Sequence, residues 1–164
     1  MKISDILKQD KVTLSFEVFP PKTSSSYESV AQATQEIAAL RPDFMSVTYG
    51  AGGGTSEHTV HIASDLHKKY GVTVLTHLTC VSSTKAHVSS MLEAFKAHGL
   101  ENVLALRGDI PAGGAPANDY RFAAELVRDI KAQGDFCVGG ACYPEGHPES
   151  QSLEKDIWGI RQKV

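Results

Sequence analysis

The sequence contains few cysteines and no long apolar run. Its three cysteines, Cys80, Cys137 and Cys142, match no zinc-ligand spacing, and so sparse and odd a set excludes a disulfide-stapled scaffold. We expect them to be small buried apolar residues of a cytoplasmic protein. No window approaches the ~18 consecutive apolar residues of a membrane span, and the first residues lack the apolar core of a signal peptide. No membrane contact is therefore expected.

An excess of basic charge is also missing. Lys and Arg number 16 against 19 Asp and Glu, which gives a net charge of -3 and excludes a broad nucleic-acid surface. With 41% hydrophobic and 21% charged residues, the 164-residue chain has the composition of one globular domain, residues 1–164, whose partner is a small molecule. His58 and His61 are three apart on a predicted helix, but no third ligand accompanies them, so no metal site is expected.

Short β-branched or apolar runs alternate with segments of helical period along the whole chain. This alternation predicts parallel strands with helical crossovers. The strands are expected to start at Val12, Asp43, Val72, Asn102 and Asp135, and the helices to cover 27–40, 57–69, 85–98, 119–133 and 153 to the chain end.

Two architectures use such units, the open doubly wound sheet and the closed eight-unit barrel. A sheet buried on both faces needs nearly continuous apolar strands, whereas Phe16 and Val18 alternate here with Ser15 and Glu17. Polar residues also recur at the carboxyl ends of all five predicted strands, where barrel enzymes place their chemistry. These observations favour an α/β fold of the (β/α)8 TIM-barrel family.

The chain is too short for the whole barrel. Eight units need ~250 residues, and the sequence reaches Val164 within the fifth helix. We therefore expect a partial barrel of about five βα units, a fragment or early-terminated version of a longer protein. Its open edge strand and inner face should favour association, with itself as a homo-oligomer or with a complementing chain.

Glu17 gives the sharpest chemical signal. It closes the first predicted strand just before Pro20 and Pro21, which cannot donate ladder hydrogen bonds. A carboxyl on the interior face among apolar neighbours is expected to have a raised pKa, as a general acid requires. The alternatives are an exposed edge-strand glutamate or an ion pair with Arg107.

Other strand ends carry groups suited to a planar or anionic ligand. Arg107, Gly108 and Asp109 offer a guanidinium, close backbone approach and a carboxylate, although an Arg107–Asp109 pair could simply staple the loop. His77 should point inward, as a ligand donor or as a satisfied core histidine. The segments 50–56 and 111–116 could cradle an anion and cover a ligand, or serve only as loops. Residues 143–148 could stack on a planar cofactor or simply pack the loop.

Five motifs in order resemble the bacterial type of methylenetetrahydrofolate reductase. They are SFEVFPPKT, SVTYGAGG, HLTC, ALRGD and YPEGHPES, and each falls at a predicted strand end. The resemblance implies FAD-dependent reduction of 5,10-methylenetetrahydrofolate to 5-methyltetrahydrofolate, with NAD(P)H as hydride donor, for methionine synthesis. A Schiff-base lyase on a similar barrel is disfavoured, because no lysine falls on the inward parity near a strand's carboxyl end.

The resemblance also implies roles for individual residues. Glu17 matches the general acid that protonates a folate nitrogen, and Asp109 matches the aspartate beside the flavin and pterin rings. Positions expected to bind the cofactor are Thr48, Tyr49, Ala51, His77, Arg107, Gly108, Asp109, Tyr120, Tyr143, His147, Asp156 and Lys163. The rival hypothesis is a catalytically inactive half-barrel that acts only through association.

Overall fold

A computed structural model describes residues 1–21, 27–49, 56–110 and 115–163, with the backbone alone for Ser56. It contains one five-stranded parallel sheet in the order β1-β2-β3-β4-β5. The strands are β1 Ser15–Val18, β2 Phe44–Val47, β3 Val74–Thr79, β4 Asn102–Leu106 and β5 Cys137–Gly140. The helices are α1 Ile3–Leu7, α2 Tyr27–Ala38, α3 Ser56–Tyr70, α4 Lys85–Ala97, α5 Ala123–Gln133 and α6 Leu153–Arg161.

Strand order follows chain order, and helices connect the strands, as the sequence predicts. This is the arrangement of a partial (β/α)8 barrel. Within the described residues, β1 and β5 each pair with one neighbour only, so both are edge strands. None of the described helices is long and apolar enough to cross a membrane.

The two faces of the sheet differ in their side chains. The outer face carries fully buried apolar residues, such as Met45, Leu78 and Val103, which pack in the core with residues of α3, α4 and α5. The inner face carries Glu17 and its register partner Ser46 on the neighbouring strand. The alternation expected for the first strand is therefore confirmed, while on β2 the inner face carries Phe44 beside Ser46.

The predicted start of the first strand at Val12 is wrong. Pairing begins at Ser15, opposite Phe44, and Val12 is 93% exposed. Because β1 lies at an edge, the apolar residues before Ser15 have no further strand to cover them. The loop before β1 is held instead by Asp43, whose carboxylate accepts from the Leu14 backbone N–H.

The expectation that all three cysteines are buried is also wrong. Cys80 is fully buried, but Cys137 is half-buried and Cys142 is exposed. Cys142 lies in the loop after β5, which ends at Gly140. All three thiols are free.

The amino end of the inner face is closed by α1, a helix that the sequence periodicity does not reveal. Ile3 and Ile6 are buried beneath the sheet. Asn102, 2% exposed at the start of β4, accepts from the Ile3 N–H at 2.8 Å and donates to the Met1 carbonyl at 3.2 Å. Its amide also donates to the Val74 carbonyl at 3.2 Å. These bonds fix α1 to β3 and β4 at the amino end of the sheet.

Candidate active site at the carboxyl ends of the strands

Three polar side chains meet on the inner face where β1, β2 and β3 run side by side. The Ser46 hydroxyl donates to Glu17 Oε2 at 3.0 Å, and His77 Nε2 lies 3.4 Å from the same oxygen. Parallel register explains the meeting, because Ser46 pairs with Glu17 on one side and with Leu75, two residues before His77, on the other. Glu17 and His77 both lie on the inner face, and the structure brings them together.

His77 is a buried imidazole, 8% exposed. Burial lowers its pKa, and the nearby Glu17 carboxylate opposes that shift. Within the described residues, His77 Nε2 has no hydrogen-bond partner, since 3.4 Å from Glu17 is a long contact of poor geometry. A buried polar atom without a partner costs free energy, so this nitrogen is available to a ligand.

Glu17 is less enclosed than the sequence suggests. Its side chain is 45% exposed, because β1 is an edge strand and only β2 lies beside it. The desolvation expected for this carboxyl is therefore incomplete in this chain. The alternative ion pair with Arg107 is also absent, because the Arg107 guanidinium donates to Glu149 at 2.6 Å.

The turn after β4 is built around a glycine. Gly108 has φ +78, and a Cβ at this position would lie 2.9 Å from Thr79 Cβ at the end of β3. Only glycine fits this close approach and left-handed backbone without strain. The alternative of an Arg107–Asp109 staple is not what the structure shows: Arg107 pairs with Glu149, and Asp109 is exposed at the same strand end.

The loop after β5 brings an aromatic ring and an imidazole to the same end of the sheet. Tyr143 and His147 meet edge-to-face, with ring centroids 4.7 Å apart. Two residues from the last helical segment hold this loop. The Asp156 carboxylate accepts from the His147 backbone N–H, and Lys163 Nζ donates to the Ala141 carbonyl at 2.8 Å.

Other expected cofactor-binding residues have side chains directed elsewhere. The Tyr49 hydroxyl lies 2.7 Å from His87 Nε2, and the Tyr120 hydroxyl donates to Asp129 at 2.8 Å. Both rings are buried in the core cluster on the helical side of the sheet. Burial raises the pKa of Tyr120, and the Asp129 carboxylate raises it further.

Thr48, in contrast, continues β2 at the mouth and is half-buried. Its backbone N–H donates to the Val18 carbonyl at 3.0 Å. Ala51 lies outside the described residues, as do most of the segments 50–56 and 111–116. Their expected roles in cradling an anion and covering a ligand stay predictions.

Sequence reasoning missed two residues of the site. Ser46 has no unusual neighbours in sequence, but its place on the inward parity of β2, opposite Glu17, could have revealed it. Glu149 gives no such signal, because its contact with Arg107 spans 42 residues between two loops.

Comparison with known proteins matches the chain to one family. The family described as methylenetetrahydrofolate reductase matches residues 2–164. The 5,10-methylenetetrahydrofolate reductase of Pectobacterium carotovorum is 35% identical over 95% of this chain and 52% of its own length. Its Escherichia coli counterpart is 34% identical over the same shares. Methylenetetrahydrofolate reductase 2 of Schizosaccharomyces pombe is 38% identical over 95% of this chain and 26% of its own.

The fold is similar to that of a solved structure with little sequence identity. The 4-hydroxy-tetrahydrodipicolinate synthase of Methylacidiphilum fumariolicum SolV superposes with a TM-score of 0.57 at 10% identity, over 93% of this chain and 51% of its own. The chain spans about half the length of the bacterial relatives it matches. From the family match over almost all its residues, the chain belongs to the methylenetetrahydrofolate reductase family.

Proposed function

We propose that the chain takes part in the reduction of 5,10-methylenetetrahydrofolate to 5-methyltetrahydrofolate, with Glu17 as the general acid. NAD(P)H is the proposed hydride donor and FAD the proposed cofactor, in a cytoplasmic protein whose product supplies methionine synthesis. The observation that carries the proposal is the Glu17 carboxyl at the mouth, bonded to Ser46 at 3.0 Å and 3.4 Å from His77. Membership of the methylenetetrahydrofolate reductase family supports a folate as the substrate that this carboxyl protonates.

The surroundings of Glu17 suit proton donation to a bound folate. Its side chain is 45% exposed on the open inner face, so a substrate nitrogen can reach it. Once the proton has moved, the Ser46 hydroxyl stabilises the negative charge that remains on the carboxylate. Asp109, a second carboxylate at the mouth, would stabilise positive charge on the opened folate.

The described residues fit a flavin at the same mouth. Among the described residues, His77 Nε2 is a buried polar atom without a hydrogen-bond partner. Arg107, just after the neighbouring strand β4, carries a positive charge that is paired with Glu149. When bound, FAD would accept a hydride from NAD(P)H and deliver it to the folate.

Residues at three further strand ends would complete the flavin site. Thr48, Gly108, Tyr143 and His147 would line it, while Asp156 and Lys163 would hold the loop that carries the Tyr143–His147 pair. Contacts from Tyr49, Ala51 and Tyr120 stay predictions.

A second candidate is a half-barrel that acts only through association, without catalysis. Helix α6 has no buried residue, and Ile157 and Trp158 are 51% and 64% exposed. Together with the open edges of β1 and β5, this apolar helix face favours contact with a second copy or with a complementing chain.

Purification of the 164-residue chain separates the two candidates. A yellow flavoprotein that NADH bleaches and 5,10-methylenetetrahydrofolate reoxidises would support the reductase. A colourless, self-associated product that binds no added FAD would favour the half-barrel instead.

The acid assignment is tested by Glu17→Gln, with Glu28→Gln on the exposed side of α2 as the matched control. We expect Glu17→Gln to retain bleaching by NADH and to lose reoxidation by the folate. Normal reoxidation in this variant would refute the role of Glu17.

A further inference from the structure

We propose that Ser46 is a positioning residue that holds Glu17 Oε2, so that Oε1 is the oxygen that carries and donates the proton. This inference rests on the proposed function and adds to it the geometry of the acid. Ser46 opens the motif SVTYGAGG, but the resemblance assigns it no role. The observation that implicates Ser46 is its hydrogen bond to Glu17.

The contact has the features of a fixed support. Ser46 and Glu17 are direct register partners on adjacent strands, so the backbone sets the distance between them. Ser46 is 8% exposed, and its hydroxyl donates at 3.0 Å. Groups placed on neighbouring strands in this way keep their geometry better than groups on loops.

The two carboxyl oxygens of Glu17 have different surroundings. Oε2 accepts from Ser46 and faces His77 Nε2 at 3.4 Å. Burial lowers the pKa of His77, so the imidazole at this position is neutral near neutral pH. Within the described residues, no hydrogen bond involves Oε1, and the side chain is 45% exposed. A hydroxyl that donates to Oε2 makes that oxygen the poorer base, which leaves the proton on Oε1.

In the resulting step, Glu17 donates one proton and one bond of the methylene bridge breaks. The Oε1–H bond breaks, and the proton goes to the bridging nitrogen of the folate. The bond from that nitrogen to the methylene carbon then breaks with its electron pair staying on the nitrogen, and the other nitrogen of the folate carries the positive charge as an iminium. The negative charge on the Glu17 carboxylate is held through Oε2 by Ser46.

The first test follows His77 and needs no folate. Glu17 is the only charged group that shifts the pKa of His77 among the described residues, so an NMR titration of its imidazole reports where the carboxylate lies. We expect Glu17→Gln to lower the pKa of His77. Ser46→Ala should also lower the pKa of His77, because the released carboxylate moves toward water. Ser46→Thr keeps the hydroxyl and should restore the pKa of His77.

Ser64→Ala is the matched control. Ser64 is equally buried, at 7% exposure, and its hydroxyl is 2.8 Å from the His98 imidazole on the helical side of the sheet. We expect this variant to lose about as much stability as Ser46→Ala in urea unfolding and to leave the pKa of His77 unchanged. That comparison separates positioning from a general loss of a buried hydrogen bond.

The second test measures folate reoxidation of the flavin-loaded chain. We expect Ser46→Ala to lower its kcat about tenfold, the worth of one hydrogen bond to a charged group, with KM nearly unchanged and with recovery in Ser46→Thr. An unchanged pKa of His77 in Ser46→Ala, or a Ser46→Thr variant that behaves like Ser46→Ala, would overturn the inference. A lack of folate reduction in the unsubstituted chain would instead count against the proposed function, since the NMR titration does not depend on it.

Discussion

Asn102 is the residue through which α1 closes the amino end of the sheet, and its removal should be costly. Asn102→Ala deletes three hydrogen bonds, with the Ile3 N–H, the Met1 carbonyl and the Val74 carbonyl. At about 1 kcal/mol for each bond, the expected loss is about 3 kcal/mol, a large part of the 5–15 kcal/mol of a typical domain. The side chain is 2% exposed, so water does not replace these partners without local opening.

Urea unfolding followed by circular dichroism measures this loss. Gln32→Ala is the control, because that exposed amide bonds only to Glu36, one turn along α2, and its loss should change stability by less than about 0.5 kcal/mol. Hydrogen exchange should also show that the α1 amides lose protection in Asn102→Ala. A loss of stability below about 1 kcal/mol with α1 still protected would refute the reasoning that these bonds fix α1 to the sheet.

Three further predictions concern the site and the thiols. Gly108→Ala should destabilise the chain by about 2 kcal/mol, because Gly108 has a left-handed φ and packs closely against Thr79. Gly159→Ala on α6 should not, because among the described residues no atom beyond the local helix backbone and its chain neighbours lies within 4 Å of an added Cβ; equal effects in urea unfolding would contradict this. Because burial lowers the pKa of His77 in the folded chain, the unfolded chain binds a proton first as the pH falls through about 6.5, so stability should decrease below that pH; a His77→Gln variant with the same pH slope would disprove it. Burial raises the pKa of Cys80 to about 11, so iodoacetamide should modify exposed Cys142 in the native chain and reach Cys80 only after unfolding, as peptide mass mapping would show.

The order of the elements could be predicted from the sequence, because each strand and most helices carry a strong period. Helix α1 could not be predicted, since five residues are too few to show a helical period. Its burial also depends on Asn102, about 100 residues away. The sequence predicts the start of β1 three residues too early, at Val12 instead of Ser15, for a related reason. Val12 continues the apolar alternation, but no neighbouring strand covers it at the edge of the sheet.

The site residues could be predicted where the alternation along a strand alone decides which face of the sheet a side chain lies on. Glu17 and His77 occupy inward positions of β1 and β3, and the structure brings them within 3.4 Å. Side chains beyond the strand ends depend on packing that sequence patterns do not encode. Tyr120, for example, directs its hydroxyl to Asp129 in the core, and Arg107 pairs with Glu149 across two loops instead of with its near neighbour Asp109.

We propose the inner face at the strand ends as a ligand site in which the buried His77 Nε2 bonds to the ligand. An equilibrium titration of the chain with FAD, followed by flavin fluorescence, tests it most directly when the unsubstituted chain is compared with His77→Leu. We expect saturable binding that weakens about tenfold or more in the variant, because leucine has no Nε2 to form the hydrogen bond to the ligand. Absence of saturable binding, or equal affinity in the two proteins, would contradict it.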